Sequence, residues 1–381
     1  MKIGVDIRAL LQGKETGVEE YVEQLLVKLF DVDQKNEYIL FYNAWRIHAM
    51  DLSWVEKYPN VSIKRFRVPN KLFNFSLWYF GYPEIDRLLG NVDIFFMPNL
   101  NFIALSQKTR LFLTVHDLSF EHYPQTFSWK RRLWHSFVNP RRLCKRADTI
   151  FAVSASTKAD LVETYGIQTK KIVESLNGLS ERFRKRDRND LDLLAVKDRY
   201  HLPYKFILAL GTIEPRKNIV SVVRAYNRLR TLGQKNFEQY KLVISGGRGW
   251  KMNETMQEIL TSPFHKDIII TDFIATEDKI SVYNLAELFV YPSHFEGFGF
   301  PPLEAMRCGT PVITSNTSSL PEIVGSAAIL IDPDQPDELY RAMKEVLSDT
   351  MLREYLITRG MRRSMHFQWL RSAQTFLQAL S

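Results

Sequence analysis

Short apolar runs rich in Val, Ile and Phe alternate with helical patterns from one end of this chain to the other, and no other feature restricts the fold as much. In the first half the runs are KIGVDI, EYILFYN, VSIKRFRV, VDIFFMP, RLFLTVHD, TIFAVS and KIVESL. VEEYVEQLLVKLF, after the first run, is the clearest of the helical intervals. Buried strands alternating with helices make parallel α/β layers. From Asn177 to Pro203 the chain turns polar and charged, which predicts a linker and the entry helix of a second domain. A fresh series follows: KFILALG, YKLVISGG, DIIITDF, LFVYPS, TPVITSN and AAILID. The expected fold class is α/β, with two doubly wound sheets.

A chain of 381 residues is too long for one ordinary core and suits two domains. The boundaries expected are 1–180 and 190–363, with the apolar face of HFQWLRSAQTFLQALS free to pack on either domain. Open α/β sheets bind ligands at the carboxyl ends of their strands. A dinucleotide fold would carry G-x-G-x-x-G after the first strand, where DIRALLQGKETGVEEY stands, and a P-loop is also missing. Oxidoreductases and nucleoside triphosphatases therefore fall behind.

Cys144 and Cys308 match no metal or redox spacing and are expected to be reduced thiols in a cytoplasmic protein. MKIGVDIRAL has no signal-peptide pattern, and no run approaches the ~20 apolar residues of a membrane span. The formal charge of +8 favours anionic partners. The excess is concentrated in Ser128 to Arg146, where Lys130, Arg131, Arg132, Arg141, Arg142, Lys145 and Arg146 stand without an acid, interleaved with Trp129, Trp134 and Phe137. Two readings stay open for this stretch: a solvated helix face with its aromatics in the core, or a docking surface.

The chemistry centres on HFEGFGFPPLEAMRCGTP. Gly297-Phe298-Gly299 turns the backbone tightly, Pro301 and Pro302 suit the first turn of a helix and Gly309 its end. A helix N-terminus preceded by bare backbone N–H groups is a place for a phosphate. Glu304, in the first turns of that helix, can accept hydrogen bonds from hydroxyls such as those of a ribose, and Glu296 can do the same for a sugar. In GTIEPRKN, Arg216 and Lys217 stand at a strand-to-helix turn and can neutralise a diphosphate leaving group. In the first half, LFLTVHDLSF puts His116 and Asp117 at the end of an apolar strand, and Thr16-Gly17 lies in the first strand-to-helix loop.

Together, EGFGFPPLE with its two glutamates eight apart, GTIEPRKN, Asn177-Gly178, VHDLSF and ETGVEEY resemble the retaining glycosyltransferases of family GT4, over essentially the whole chain. The resemblance implies the GT-B fold of two facing Rossmann-like domains, with a final helix, 364–381, crossing back to the N-terminal, acceptor-side domain. It implies a nucleotide-sugar donor in the C-terminal domain: Lys217 with Arg216 on the diphosphate, Glu304 on the ribose, and Glu296 on the outer sugar hydroxyls. Gly211, Thr212 and the backbone of Gly297, Phe298, Gly299 and Phe300 would lie along the phosphate or sugar, Phe273 and Ile274 would meet the base, and Gly17 would reach the donor from the first loop. His116 would face the transferred sugar. The family's reaction keeps the anomeric configuration, lets the leaving phosphate help take the acceptor proton, and uses no metal and no cofactor. Two positions depart from the pattern: Thr212 stands where many relatives carry Arg, and Glu19 where many carry a second glycine.

Among relatives, GTIEPRKN, SGGRGW and HFEGFGFPPLEAM look most like bacterial mannosyltransferases of surface-polysaccharide assembly using GDP-mannose; rhamnosyl- and glucosyltransferases using dTDP- or UDP-sugars share much of the pattern. The acceptor expected is a glycan or a lipid-linked glycan, with the chain peripheral on the inner face of a membrane. A reading of another class is a catalytically silent nucleotide- or glycan-binding scaffold at the membrane. Nucleic acid is not expected as a partner, because 128–146 carries no recognised reader motif.

Overall fold

A computed structural model of the chain describes all residues except 13–16, 46–50, 248, 250 and 251. Thr16 falls outside the described residues. Each of the thirteen apolar runs forms a strand. The first seven are β1 (Lys2–Asp6), β2 (Glu37–Asn43), β3 (Val61–Phe66), β4 (Ile94–Met97), β5 (Arg110–Val115), β6 (Thr149–Ala152) and β7 (Ile172–Glu174). They make one parallel sheet in the order β3-β2-β1-β4-β5-β6-β7. The rest are β8 (Phe206–Leu210), β9 (Lys241–Ser245), β10 (Ile268–Ile270), β11 (Leu288–Tyr291), β12 (Val312–Ser315) and β13 (Ile329–Ile331). They make a second parallel sheet, β10-β9-β8-β11-β12-β13. In both sheets the strand order reverses once, between β1 and β4 and between β8 and β11, and the crevice beyond such a reversal is where doubly wound sheets bind ligands.

The chain divides into two compact units, Met1–His122 with Trp129–Gly178 and Gln368–Ser381, and Tyr123–Ser128 with Leu179–Phe367. The polar stretch after Asn177 contains the helix Leu191–Arg199, whose N-terminus is capped by the Asp190 carboxylate.

The first unit is completed by the C-terminal helix Trp369–Gln378. Its Phe376 lies 4.7 Å from Phe96 of β4, 5.9 Å from Phe112 of β5 and 5.4 Å from Phe151 of β6, ring centre to ring centre. Gly178 is required where this helix begins: a Cβ there would stand 2.2 Å from the backbone nitrogen of Trp369. In the second unit, Tyr226, Leu229 and Val222 of the helix Ile219–Leu232 pack with Leu242, Ile244, Val290 and Met343 under the sheet. Among the described residues no helix is long and apolar enough to cross a membrane.

Candidate active site

The second unit gathers its charged groups beyond β8 and β11, the two strands at its reversal of order. β8 ends at Leu210 and the chain turns at Gly211, whose φ of +150° few side chains tolerate. Pro215–Lys217 then forms a single 3-10 turn ahead of the helix Ile219–Leu232, and so delivers Arg216 and Lys217 to the sheet edge. β11 ends at Tyr291, and Ser293 to Glu296 follow it.

Glu296 is buried, and its Oε1 is the hub of the cluster. Lys217 Nζ donates to it at 2.5 Å and Ser293 Oγ at 2.5 Å. Arg216 Nη1 stands at 3.1 Å, and Tyr291 Oη donates at 3.1 Å. Lys217 also donates to Tyr291 Oη at 2.5 Å, with its ammonium 4.9 Å from the ring centre. Arg216 is held from two other sides, by the Glu214 carboxylate at 2.8 Å and by the Phe295 carbonyl at 2.6 Å. Burial alone would raise the Glu296 carboxyl's pKa, but the charges of Arg216 and Lys217 outweigh it and hold it at about 2. Burial, with Arg216 alongside, lowers the Lys217 ammonium against the opposing pull of Glu296. Burial and the Glu296 charge push the Tyr291 phenol far up. The result is a carboxylate that stays ionised and two cations fixed before any ligand arrives.

The glycine turn is braced from β12. Ser318 Oγ accepts from the Glu296 backbone N–H at 2.9 Å, and Ser319 Oγ donates to the carbonyls of Glu296 and Phe298 at 2.9 and 2.8 Å. Gly299 takes φ +107° and directly precedes the helix Phe300–Arg307, which begins with Phe300-Pro301-Pro302 as expected. The N–H groups of Phe298 and Gly299 donate to no backbone carbonyl among the described residues. Positively polarised donors at a helix start suit an anionic oxygen.

Glu304 is separate from this hub. It is buried in the helix and accepts from Tyr283 Oη at 2.7 Å through Oε2, while Oε1 takes no hydrogen bond from the described residues. Three expected donor contacts are qualified by the structure. The Ile274 side chain is buried, which leaves its backbone for a base, whereas Phe273 beside it is exposed. The Phe298 ring packs 5.0 Å from Phe300 and 5.7 Å from Phe367, so only its backbone is free to serve a ligand. Thr212 is exposed on the turn after β8.

In the first unit His116 follows β5, half-buried. Its Nε2 is 2.9 Å from the Pro98 carbonyl, which can only accept, so Nε2 carries the proton and Nδ1 is left as an acceptor. Burial lowers its pKa, so the ring is neutral at pH 7. Tyr21 holds it edge-on at 4.8 Å. The neighbouring Asp117 is engaged elsewhere: its Oδ1 accepts from the Ser119 N–H at 2.8 Å and hydroxyl at 2.6 Å, just ahead of the helix Ser119–His122. Gly17 is exposed at the first position of the helix Gly17–Val32, and Glu19 is buried in that helix's first turn. Sequence reasoning missed Tyr291, Ser293, Ser318 and Tyr283, and also Arg8. The Arg8 guanidinium clasps Asp6 at the end of β1 with bonds of 2.9 and 2.6 Å.

Two doubly wound parallel-sheet units, one carrying a cation-carboxylate cluster at its strand reversal, make an arrangement suited to an anionic ligand, and the comparisons narrow the class. Residues 16–181 match the model described as Glycosyltransferase Family 4, and residues 197–363 the one described as Glycosyl transferases group 1. The O-antigen chain mannosyltransferase B of Escherichia coli is 32% identical over 270 residues, 71% of this chain and 69% of that protein. The O-antigen chain mannosyltransferase RfbU of Salmonella typhimurium is 27% identical over 344 residues, 87% of each chain. The serotype-specific mannosyltransferase WbdA of Escherichia coli is 33% identical over 251 residues, and the match spans 64% of this chain but only 30% of that relative's length. The fold is that of WaaG, a glycosyltransferase of lipopolysaccharide biosynthesis (TM-score 0.72, 12% identity, all of both chains), and of Anabaena HepE in complex with UDP and glucose (TM-score 0.71, 16% identity, 100% and 99% covered). The chain belongs to glycosyltransferase family 4 and has the GT-B fold.

Proposed function

We propose that this glycosyltransferase is a retaining mannosyltransferase that moves mannose from GDP-mannose to a glycan or lipid-linked acceptor in bacterial polysaccharide assembly. The observation that carries the reading is the Arg216, Lys217 and Glu296 cluster at the carboxyl ends of β8 and β11. Lys217 and Arg216 take the charge that develops on the leaving diphosphate. Glu296 is a poor base and a poor nucleophile, because two cations hold its pKa at about 2. Its role is to accept hydrogen bonds from the sugar's outer hydroxyls and fix the ring. The acceptor hydroxyl then attacks the anomeric carbon on the face from which the phosphate departs; the bond from that carbon to phosphate oxygen breaks, and the proton passes to the leaving phosphate. Glu304 Oε1 takes the ribose hydroxyls, the Phe298 and Gly299 N–H groups a phosphate oxygen, Phe273 the base, and neutral His116 a hydroxyl of the transferred sugar through Nδ1. The names of the O-antigen mannosyltransferase relatives support mannose over glucose or rhamnose. Docking of 128–146 on an anionic cytoplasmic membrane face belongs to the same reading, since it would bring the enzyme to a lipid-linked acceptor.

The test is a panel of GDP-, UDP- and dTDP-sugars, scored by thermal stabilisation and by NMR of the product's anomeric configuration. A ligand at 100 times its dissociation constant adds ~2.7 kcal/mol. Greater stabilisation by UDP-glucose overturns the donor, and a product of opposite anomeric configuration overturns the mechanism.

A further inference from the structure

The helix Asn70–Tyr79 is apolar around most of its circumference, yet it lies at the surface. Phe73 and Leu77 face the core, as an amphipathic helix requires. The other side is not polar: Leu72, Phe75, Trp78 and Tyr79 are exposed, and Phe80, directly after the helix, is 67% exposed. These exposed rings also touch one another, with Phe75 stacked on Tyr79 at 5.5 Å and Tyr79 edge-on to Phe80 at 4.9 Å. The helix Trp129–Val138 extends the patch. Its Phe137 ring lies 4.9 Å from Trp78, and Leu133 and Trp129 are exposed along the same helix. So the aromatics of the basic stretch are not core residues, with Trp134, half-buried against Phe102 at 6.1 Å, as the partial exception.

The two stretches of chain that carry these helices are basic in sequence. Residues 61–83 carry Lys64, Arg65, Arg67 and Lys71 without an Asp or Glu, and 128–146 carry seven cations, again without one. A self-paired dimer through this face would set those cations against their own copies, because a two-fold interface brings the same patch together. A bilayer bearing anionic headgroups meets both features at once. Phosphates pair with the cations, and Trp and Tyr rings sit at the boundary between headgroup and acyl chain.

We propose that the face formed by the helices Asn70–Tyr79 and Trp129–Val138 is a membrane-insertion surface, in which Phe75, Trp78, Tyr79 and Phe137 enter the interfacial layer of an anionic phospholipid bilayer while the flanking cations hold its phosphates. This deepens the membrane reading given above by adding to charge attraction an apolar anchor. The two contributions differ in salt dependence: attraction between exposed charges is screened within ~10 Å at about 0.1 M salt and ~3 Å at about 1 M, whereas apolar burial persists.

The experiment is co-sedimentation of the full chain with vesicles of phosphatidylcholine alone or mixed with phosphatidylglycerol, at both salt concentrations. The variants are Phe75→Ser with Tyr79→Ser, and Lys130→Ser with Arg132→Ser; melting curves confirm that both remain folded. Brominated lipid reports insertion by quenching Trp78, with Trp78→Phe as the control. Wild type is expected to bind the anionic vesicles, with part of that binding surviving high salt. The aromatic double variant should bind about tenfold or more weakly and lose the salt-resistant part, since even partial burial of two rings is worth a factor of that order. The lysine-arginine variant should lose mainly the low-salt part. Wild-type binding by the aromatic variant, no quenching that depends on Trp78, or a dimer that the aromatic variant dissolves without any vesicle binding each overturns the proposal. Failure of every nucleotide sugar to support transfer leaves the vesicle result standing, so the two readings fail separately.

Discussion

Replacing Glu296 by Gln removes one charge from a buried cluster of four, Glu296, Arg216, Lys217 and Glu214, and keeps the side chain's shape. In the wild type, Oε1 accepts from Lys217, Ser293 and Tyr291 and faces Arg216, and the carboxyl's pKa falls from a glutamate's ordinary 4.5 to about 2. At ~1.36 kcal/mol per tenfold change in proton affinity, that drop is worth about 3 kcal/mol to the folded state at neutral pH. It matches the ~3–5 kcal/mol lost when one member of a buried ion pair is deleted. The expected outcome is a loss of about 3 kcal/mol in the hydrogen-exchange protection of the β8 and β11 amides at pH 7. The sign with pH follows from a depressed carboxyl pKa. The stabilisation is complete above 4.5 and disappears as pH falls toward about 2, so the gap between wild type and variant should be constant near neutrality and close on acidification. Adding Lys217→Met should recover part of the loss, because it removes a buried ammonium left without its carboxylate. Protection unchanged to within about 0.5 kcal/mol, or a gap that widens in acid, would refute the cluster as described.

Lys217→Ala should lower turnover at saturating donor by roughly 10²–10³, the usual effect of deleting one electrostatic stabiliser, and a loss below tenfold would remove Lys217 from that role. Glu304→Ala should weaken binding of the sugar-free nucleotide in calorimetry while Tyr283→Phe leaves it nearly intact; equal losses would make Glu304 merely the buried partner of Tyr283. His116→Ala should spare that binding yet strongly reduce transfer, and with its pKa lowered by burial His116 should put no inflection near 6.5 into the wild-type transfer profile. Gly246→Ala should cost more than about 2 kcal/mol by urea unfolding, because its Cβ would stand 1.9 Å from the Gly211 carbonyl oxygen at a φ of +150°.

Most of the thirteen strands were legible because they are apolar runs closed by turn residues, and a strand covered on both faces leaves no other trace in sequence; β3, with Ser62, Ile63 and Lys64 exposed, is an exception. Glu296, Arg216 and Lys217 were legible too, as charges beside turns that end buried strands. Tyr291 and Ser293 were not. Tyr291 reads as one more apolar residue of β11, and only the approach of the turn after β8 turns its hydroxyl into a link between Lys217 and Glu296. Ile274 was placed at the ligand by analogy of position, and the fold turns its side chain inward. The stretch LFNFSLWYF has the composition of a core helix, and nothing local says that one side of it meets no other element.

The anchoring of Phe376 among Phe96, Phe112 and Phe151 also dictates an order of events during synthesis. Domains generally fold as they leave the ribosome, the N-terminal one first. Here the packing of the first unit is completed by residues 368–381, so the rings of Phe96, Phe112 and Phe151 that Phe376 covers stay open while the whole second unit is being made. The second unit, whose strands all lie within 206–331, can finish first. A nascent chain stalled just before residue 368 would hold a second unit with all its strands made and a first unit with aromatic surface bare, a substrate for chaperones and proteases.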